Sequence, residues 1–81
     1  MDDTRIHHRI SALVDEEHAL RERTQHGGLS PQEEQQRLRD LEASLDQCWD
    51  LLRQRRARRS AGQDPDGAEV RPVGEVEGYR Q

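Results

Sequence analysis

The chain has 81 residues and a net charge of −4; 37% of its residues are charged, 30% are hydrophobic and 2% are aromatic. So short a chain has room for one small domain, and its low apolar content leaves little to fill a core. Its acidic balance argues against general nucleic-acid binding, for which a basic domain is expected. The longest apolar run is three residues, Ala12 to Val14. We therefore expect no membrane span and no signal peptide, and predict a cytoplasmic protein.

The first predicted helix covers residues 4–25. It follows Asp2 and Asp3, whose negative charges suit the positive end of a helix, and Thr4 is a possible cap. Its apolar residues recur at helical spacing without an intervening proline or glycine. They are Ile6, Ile10, Leu13, Val14 and Leu20. The pair Gly27-Gly28 then favours a chain reversal, because glycine readily adopts the left-handed backbone that ends a helix.

The second predicted helix covers residues 31–59. It begins with Ser30-Pro31-Gln32-Glu33, the pattern of a capping box with proline at the first helical position, and Ser60-Ala61-Gly62 ends it. Its apolar residues recur at steps of three and four, which is typical of a narrow stripe that faces a partner helix. They are Leu38, Leu41, Leu45, Cys48 and Leu52.

The two stripes match when residues whose numbers sum to 58 are paired. This register opposes Ile6 to Leu52 and Leu13 to Leu45, and only Glu17 breaks it. We therefore predict an all-α fold, an antiparallel two-helix hairpin of coiled-coil type over residues 1–60. Its predicted core is Ile6, Ile10, Leu13, Leu20, Leu38, Leu41, Leu45, Cys48 and Leu52. Cys48, the only cysteine, is expected to be a small buried hydrophobe.

Three further apolar residues flank the seam between the helices, with Val14 and Trp49 on one side and Leu51 on the other. Trp49 either folds over the seam beside His7 and Ile10 or forms the centre of a homodimer interface. We favour the homodimer, because a two-helix chain of this size rarely stands alone. Two hairpins would then make a four-helix bundle.

Residues 61–81 form a predicted extended or disordered acidic tail, since prolines and glycines make a continuous helix unfavourable. Four residues recur every three positions, the period of a polyproline II ribbon that can lie in a helix groove. They are Val70, Val73, Val76 and Tyr79. The low hydrophobicity of the segment favours a disordered tail at least as strongly.

A run of arginines lies at the end of the second predicted helix. Its members are Arg53, Arg55, Arg56, Arg58 and Arg59. Positive charge there suits the helix dipole, which is the structural interpretation. The same run also forms a potential patch for an anion or a protein partner, or a docking site for the acidic tail. Binding of nucleic acid ranks third.

Catalytic and ligand-binding patterns are lacking in the sequence. None of the four histidines pairs with another at helical spacing, and Asp15 with His18 has no second such motif to complete a carboxylate-bridged site. There is no glycine-rich phosphate loop and no nucleophile elbow. We expect no catalytic residue, no cofactor and no metal site, and hence no enzyme.

Three segments of the chain together resemble a family of short actinobacterial proteins, catalogued as domain of unknown function number 2630. They are LVDEEH at residues 13–18, LDQCWDLLRQRR at 45–56 and VRPVGEVEGY at 70–79. The resemblance covers nearly the full length and implies that the tail belongs to the protein proper. It implies no activity for any residue.

These patterns predict a non-enzymatic helical interaction module that self-associates as a homodimer or binds another protein. The alternative is an accessory binder of nucleic acid or of a ribonucleoprotein through residues 53–59, whose affinity would fall steeply with salt. A metal-binding bundle ranks below both.

Overall fold

A computed structural model describes residues 2–78. Two long helices, α1 (Asp3–Gln25) and α2 (Pro31–Ser60), pack against each other as an antiparallel hairpin. A 3-10 helix (Pro65–Gly67) and a short helix α3 (Val73–Gly78) follow, and both lie on α2. The all-α hairpin followed by a short tail is thereby confirmed. The tail is not extended or disordered throughout, because residues 65–67 and 73–78 are helical. The observed α1 begins one residue earlier, and α2 ends one residue later, than the sequence pattern predicts.

Asp2 caps the N-terminus of α1, in place of the threonine that the sequence suggested. Its carboxylate accepts a hydrogen bond from the backbone N–H of Arg5 at 2.8 Å, which satisfies one of the unpaired donors of the first turn. At the other end Gly27 has a φ of 77°. The N–H of Gly28 donates to the carbonyl of Arg23 at 2.8 Å, the bond of a Schellman motif.

The ends of α2 are fixed by the same kinds of contact. Ser30 Oγ accepts a hydrogen bond from the backbone N–H of Glu33 at 3.2 Å, and Pro31 occupies the first turn. At the C-terminus Gly62 has a φ of 73°, and the N–H of Gln63 donates to the carbonyl of Arg58 at 2.8 Å. Glycine at this position turns the chain back toward α2.

The hydrophobic core is centred on α1 and on one side of α2. The α1 residues predicted for the core are all buried: Ile6, Ile10, Leu13 and Leu20. The α2 residues predicted for it are only partly buried: Leu38, Leu41, Leu45, Cys48 and Leu52. One α1 helix cannot cover the whole width of this stripe. Leu45, Cys48 and Leu52 nevertheless pack against the buried cluster.

Leu51 belongs to this core, and its placement in a self-association surface is wrong. It is 7% exposed and clusters with Ile6 and Ile10, and Ala68 of the tail packs against the same cluster. Leu51 is covered from two directions, because it lies between the side of α2 that faces α1 and the side that faces the tail.

We expect Ile6→Ala to lower the free energy of unfolding by about 2 to 5 kcal/mol, since a fully buried side chain leaves a cavity when it is truncated. Val70→Ala is the matched control, because Val70 is 64% exposed. Urea denaturation followed by circular dichroism measures both. Equal midpoints for the two variants would contradict this description of the core.

Candidate functional site

A buried ion pair joins α2 to the tail. Asp50 is fully buried, and the guanidinium of Arg71 binds both of its carboxylate oxygens. Arg71 Nε donates to Oδ2 at 2.8 Å, and Nη2 donates to Oδ1. Hydrogen bonding from Arg71 lowers the pKa of Asp50 below its ordinary value, against the opposing effect of desolvation. The bidentate geometry fixes both the position and the orientation of the tail.

Two glutamines of α2 hold the backbone of the tail. Gln54 Nε2 donates to the carbonyl of Glu69 at 2.7 Å and to Asp50 Oδ2 at 2.9 Å, while the N–H of Glu69 donates to Gln54 Oε1 at 3.3 Å. Gln47 Nε2 donates to the carbonyl of Arg71 at 3.1 Å. Residues 47, 50 and 54 are spaced by three and four, so they form one face of α2. We call this side of α2 the tail face.

The tail docks through fewer of its apolar residues than the polyproline period suggests. Val76 is 1% exposed and Val73 is half-buried, whereas Val70 is exposed and Tyr79 lies outside the described residues. Residues 73–78 are helical, and the N–H of Val76 donates to the carbonyl of Pro72 at 3.1 Å. A spacing of three also places Val73 and Val76 on one side of an α-helix, so the spacing alone cannot distinguish the two conformations.

A second set of ion pairs connects the N-terminus, α2 and the tail. Arg55 is buried; its Nε donates to Asp3 Oδ1, and its Nη1 donates to Asp66 Oδ1 at 2.9 Å. Arg59 Nη2 lies 3.1 Å from Asp3 Oδ2. The hydrogen bonds of Arg55 and then of Arg59 lower the pKa of Asp3, and those of Asp3 and Asp66 raise the pKa of Arg55.

The predicted arginine patch is therefore divided among internal contacts. Arg55 and Arg59 pair as described, and Arg53 Nη2 lies 3.7 Å from Asp50 Oδ1. Arg58 packs against Gly67, where a Cβ would come within 2.5 Å of its Nη1. Arg56 is exposed and makes no ion pair within residues 2–78. Of the tail acids, Asp66 reaches this run.

The pair of Asp3 and Arg55 could have been found in the sequence. Their numbers sum to 58, so they form the next layer beyond Ile6 and Leu52 in the predicted register. Arg55 and Arg59 also continue the steps of three and four that end at Leu52. The pair of Asp50 and Arg71 has no such signal, because it depends on the path of the chain between Gly62 and Arg71.

Another side of α2, which bears Trp49, is exposed. Trp49 is 45% exposed and Val14 of α1 is 38% exposed. A shallow groove of about 240 Å³ is lined here by Glu42, Leu45, Asp46 and Trp49. The rings of His7 and Trp49 meet edge to face with centroids 6.4 Å apart, so Trp49 leans toward α1 without being covered by it. We call this side the Trp49 face, formed by Glu42, Leu45, Asp46 and Trp49.

Other candidate chemistry is sparse in the part of the chain that the structure describes. Cys48 is partly buried, and burial raises the pKa of its thiol. Within residues 2–78, no three His, Cys, Asp or Glu side chains are grouped to hold a metal ion. A groove of about 350 Å³ near the hairpin turn is lined by both acidic and basic side chains around Leu20 and Leu41. No helix between residues 2 and 78 combines the length and apolar character needed to span a bilayer.

We expect Arg71→Gln to lower the free energy of unfolding by up to about 3 kcal/mol, because it leaves the buried carboxylate of Asp50 without its bidentate partner. Arg53→Gln is the matched control: it removes a second arginine near the same carboxylate, but one whose side chain is 61% exposed. Its effect should stay below about 1 kcal/mol. Chemical denaturation measures both, and similar losses would contradict a dominant role for Arg71.

The lowered pKa of Asp50 predicts a pH dependence of stability. The unfolded carboxyl, near its ordinary pKa of 3.8, binds protons at a higher pH than the folded one. The stabilisation is therefore complete above that value and is lost as the pH falls through the lowered folded pKa. Asp50→Asn should flatten the acid limb of a plot of unfolding free energy against pH. An unchanged slope would contradict the contribution of Asp50.

Comparisons with known proteins agree on the family. The model of the family described as "Protein of unknown function (DUF2630)" matches residues 2–81. Uncharacterized protein Rv0898c of Mycobacterium tuberculosis and Uncharacterized protein Mb0922c of Mycobacterium bovis are each 63% identical over 70 residues, which cover 86% of this chain and 80% of theirs. No solved structure matches. The chain therefore belongs to the DUF2630 family.

Proposed function

We propose that this protein is a non-enzymatic helical interaction module that self-associates through its Trp49 face. The observation that carries the proposal is the one-sided coverage of α2. The tail covers the side that bears Leu51 and Asp50, whereas Trp49 on the other side remains 45% exposed. A tryptophan that is nearly half exposed in the single chain is typical of a surface that is covered by a partner.

The expected gain from covering this face is large for so small a protein. Burying the exposed half of an indole removes roughly 100 Å² of surface from water, which contributes about 2 to 3 kcal/mol. A two-fold dimer contains this contribution twice. Each hairpin alone has a small apolar cluster around Ile6, Ile10 and Leu51, and small cores of this kind commonly depend on association for stability.

The internal ion pairs weigh against the alternative of nucleic-acid binding. A phosphate-binding patch needs several free arginines on one surface. Here Arg53, Arg55 and Arg59 are already paired with carboxylates. The net charge of −4 adds long-range repulsion toward a polyanion.

We expect Trp49→Ala to shift the full-length protein from dimer toward monomer in sedimentation equilibrium. The melting temperature of the variant should also depend less on protein concentration than that of the wild type. Val70→Ala is the control, because it removes an apolar side chain of the tail that is even more exposed than Trp49. A wild-type protein that stays monomeric up to its solubility limit would overturn the proposal.

A further inference from the structure

The exposed charges of α2 specify how a second copy would dock, an inference that rests on the proposed self-association. We infer that two copies pack α2 against α2 in antiparallel orientation, around a two-fold axis that passes through Trp49. Glu42 of each copy then lies opposite Arg56 of the other. The partner is thus a second copy of this chain in one defined register.

The inference rests on the equal spacing of Glu42, Trp49 and Arg56 along α2. Glu42 precedes Trp49 by seven residues, and Arg56 follows it by seven. Seven residues are nearly two turns, so the three side chains lie within about 40° of one another on α2, at steps of about 10 Å along its axis. A two-fold axis at the central residue necessarily exchanges the two outer positions.

The two outer residues carry opposite charges, and neither has a partner among the residues that the structure describes. Glu42 and Arg56 are both exposed, and neither makes an ion pair within residues 2–78. Arg53, Arg55 and Arg59, in contrast, are each paired. Together with Arg56, the Trp49 face therefore has a negative charge at one end, an aromatic centre and a positive charge at the other end. A second copy in antiparallel orientation places opposite charges next to each other at both ends.

The order of charges also disfavours the parallel arrangement. Two parallel α2 helices in register would place Glu42 against Glu42 and Arg56 against Arg56, and both contacts are repulsive. The antiparallel arrangement converts these two repulsions into two attractions. Charge patterns of this kind set orientation in helical assemblies more than they set affinity.

The apolar residues beside Trp49 fit the same register. Leu45 precedes Trp49 by four residues and Leu52 follows it by three, so each lies nearly opposite the other across the axis. Both are only partly buried in the single chain. They lie on the side of Trp49 that faces α1, whereas Asp50 and the tail lie on the far side of α2. The tail, as far as residue 78, therefore leaves this contact unobstructed.

Charge reversal in the full-length protein tests the register. We expect Glu42→Arg and Arg56→Glu each to raise the dimer dissociation constant at least about tenfold at low ionic strength, because each places like charges opposite one another twice per dimer. The double variant restores both pairs with reversed polarity. Its dissociation constant should return to within about threefold of the wild type. Sedimentation velocity measures all three, and circular dichroism verifies their helicity.

Two control variants separate the register from net charge. The controls are Glu22→Arg and Arg37→Glu. Glu22 lies near the hairpin turn, outside the proposed overlap, and Arg37 is exposed and lies about 120° around the axis of α2 from Trp49. Each should leave the dissociation constant within about threefold of the wild type. A dimer that depends on Trp49 but is not restored by the double reversal overturns this register and leaves self-association standing. A wild-type monomer overturns both.

Discussion

The buried carboxylate of Asp50 is the constraint on which the arrangement of the chain depends. A carboxylate removed from water costs several kcal/mol unless a partner and hydrogen bonds compensate it. Arg71 of the tail and Gln54 of α2 supply these contacts. Gln54 also donates a hydrogen bond to the backbone carbonyl of Glu69 in the tail. The folded hairpin therefore requires the tail in one position. That position decides which side of α2 is covered and which stays open.

Charged contacts take over a structural role that larger domains give to apolar packing. Only 30% of the residues are hydrophobic, and the central apolar cluster contains few side chains. Beyond its last apolar layer the hairpin continues with Asp3, Arg55 and Arg59, and Asp66 joins them from the tail. One arginine thus connects three segments that are distant in sequence. The lowered pKa of Asp3 and of Asp50 keeps these two carboxylates ionised below their ordinary pKa, so their contribution to stability is lost only as the pH falls through the lowered values.

The features that the sequence predicted are those set by local rules. Helix ends follow from capping residues and left-handed glycines, and the fold class follows from the spacing of apolar residues. The tail could not be predicted in this way. Its position depends on a bidentate pair between residues 21 positions apart, and its valines have a period common to a ribbon and a helix. Leu51 was misplaced for the same reason, because the element that covers it had no predicted position.

The tail is held by directional hydrogen bonds from Arg71, and these keep it off the Trp49 face. A tail held by apolar contacts alone could also cover that face. Apolar contacts are non-directional, so a tail rich in exposed valines could pack on either side of α2. The guanidinium of Arg71 instead requires a carboxylate that accepts two hydrogen bonds, and Asp50 lies on a different side of α2 from Trp49. Buried ion pairs of this kind contribute specificity more than net stability. Asp50 thereby gives α2 two different surfaces. One binds the tail within the chain, and the other stays exposed for the proposed second copy.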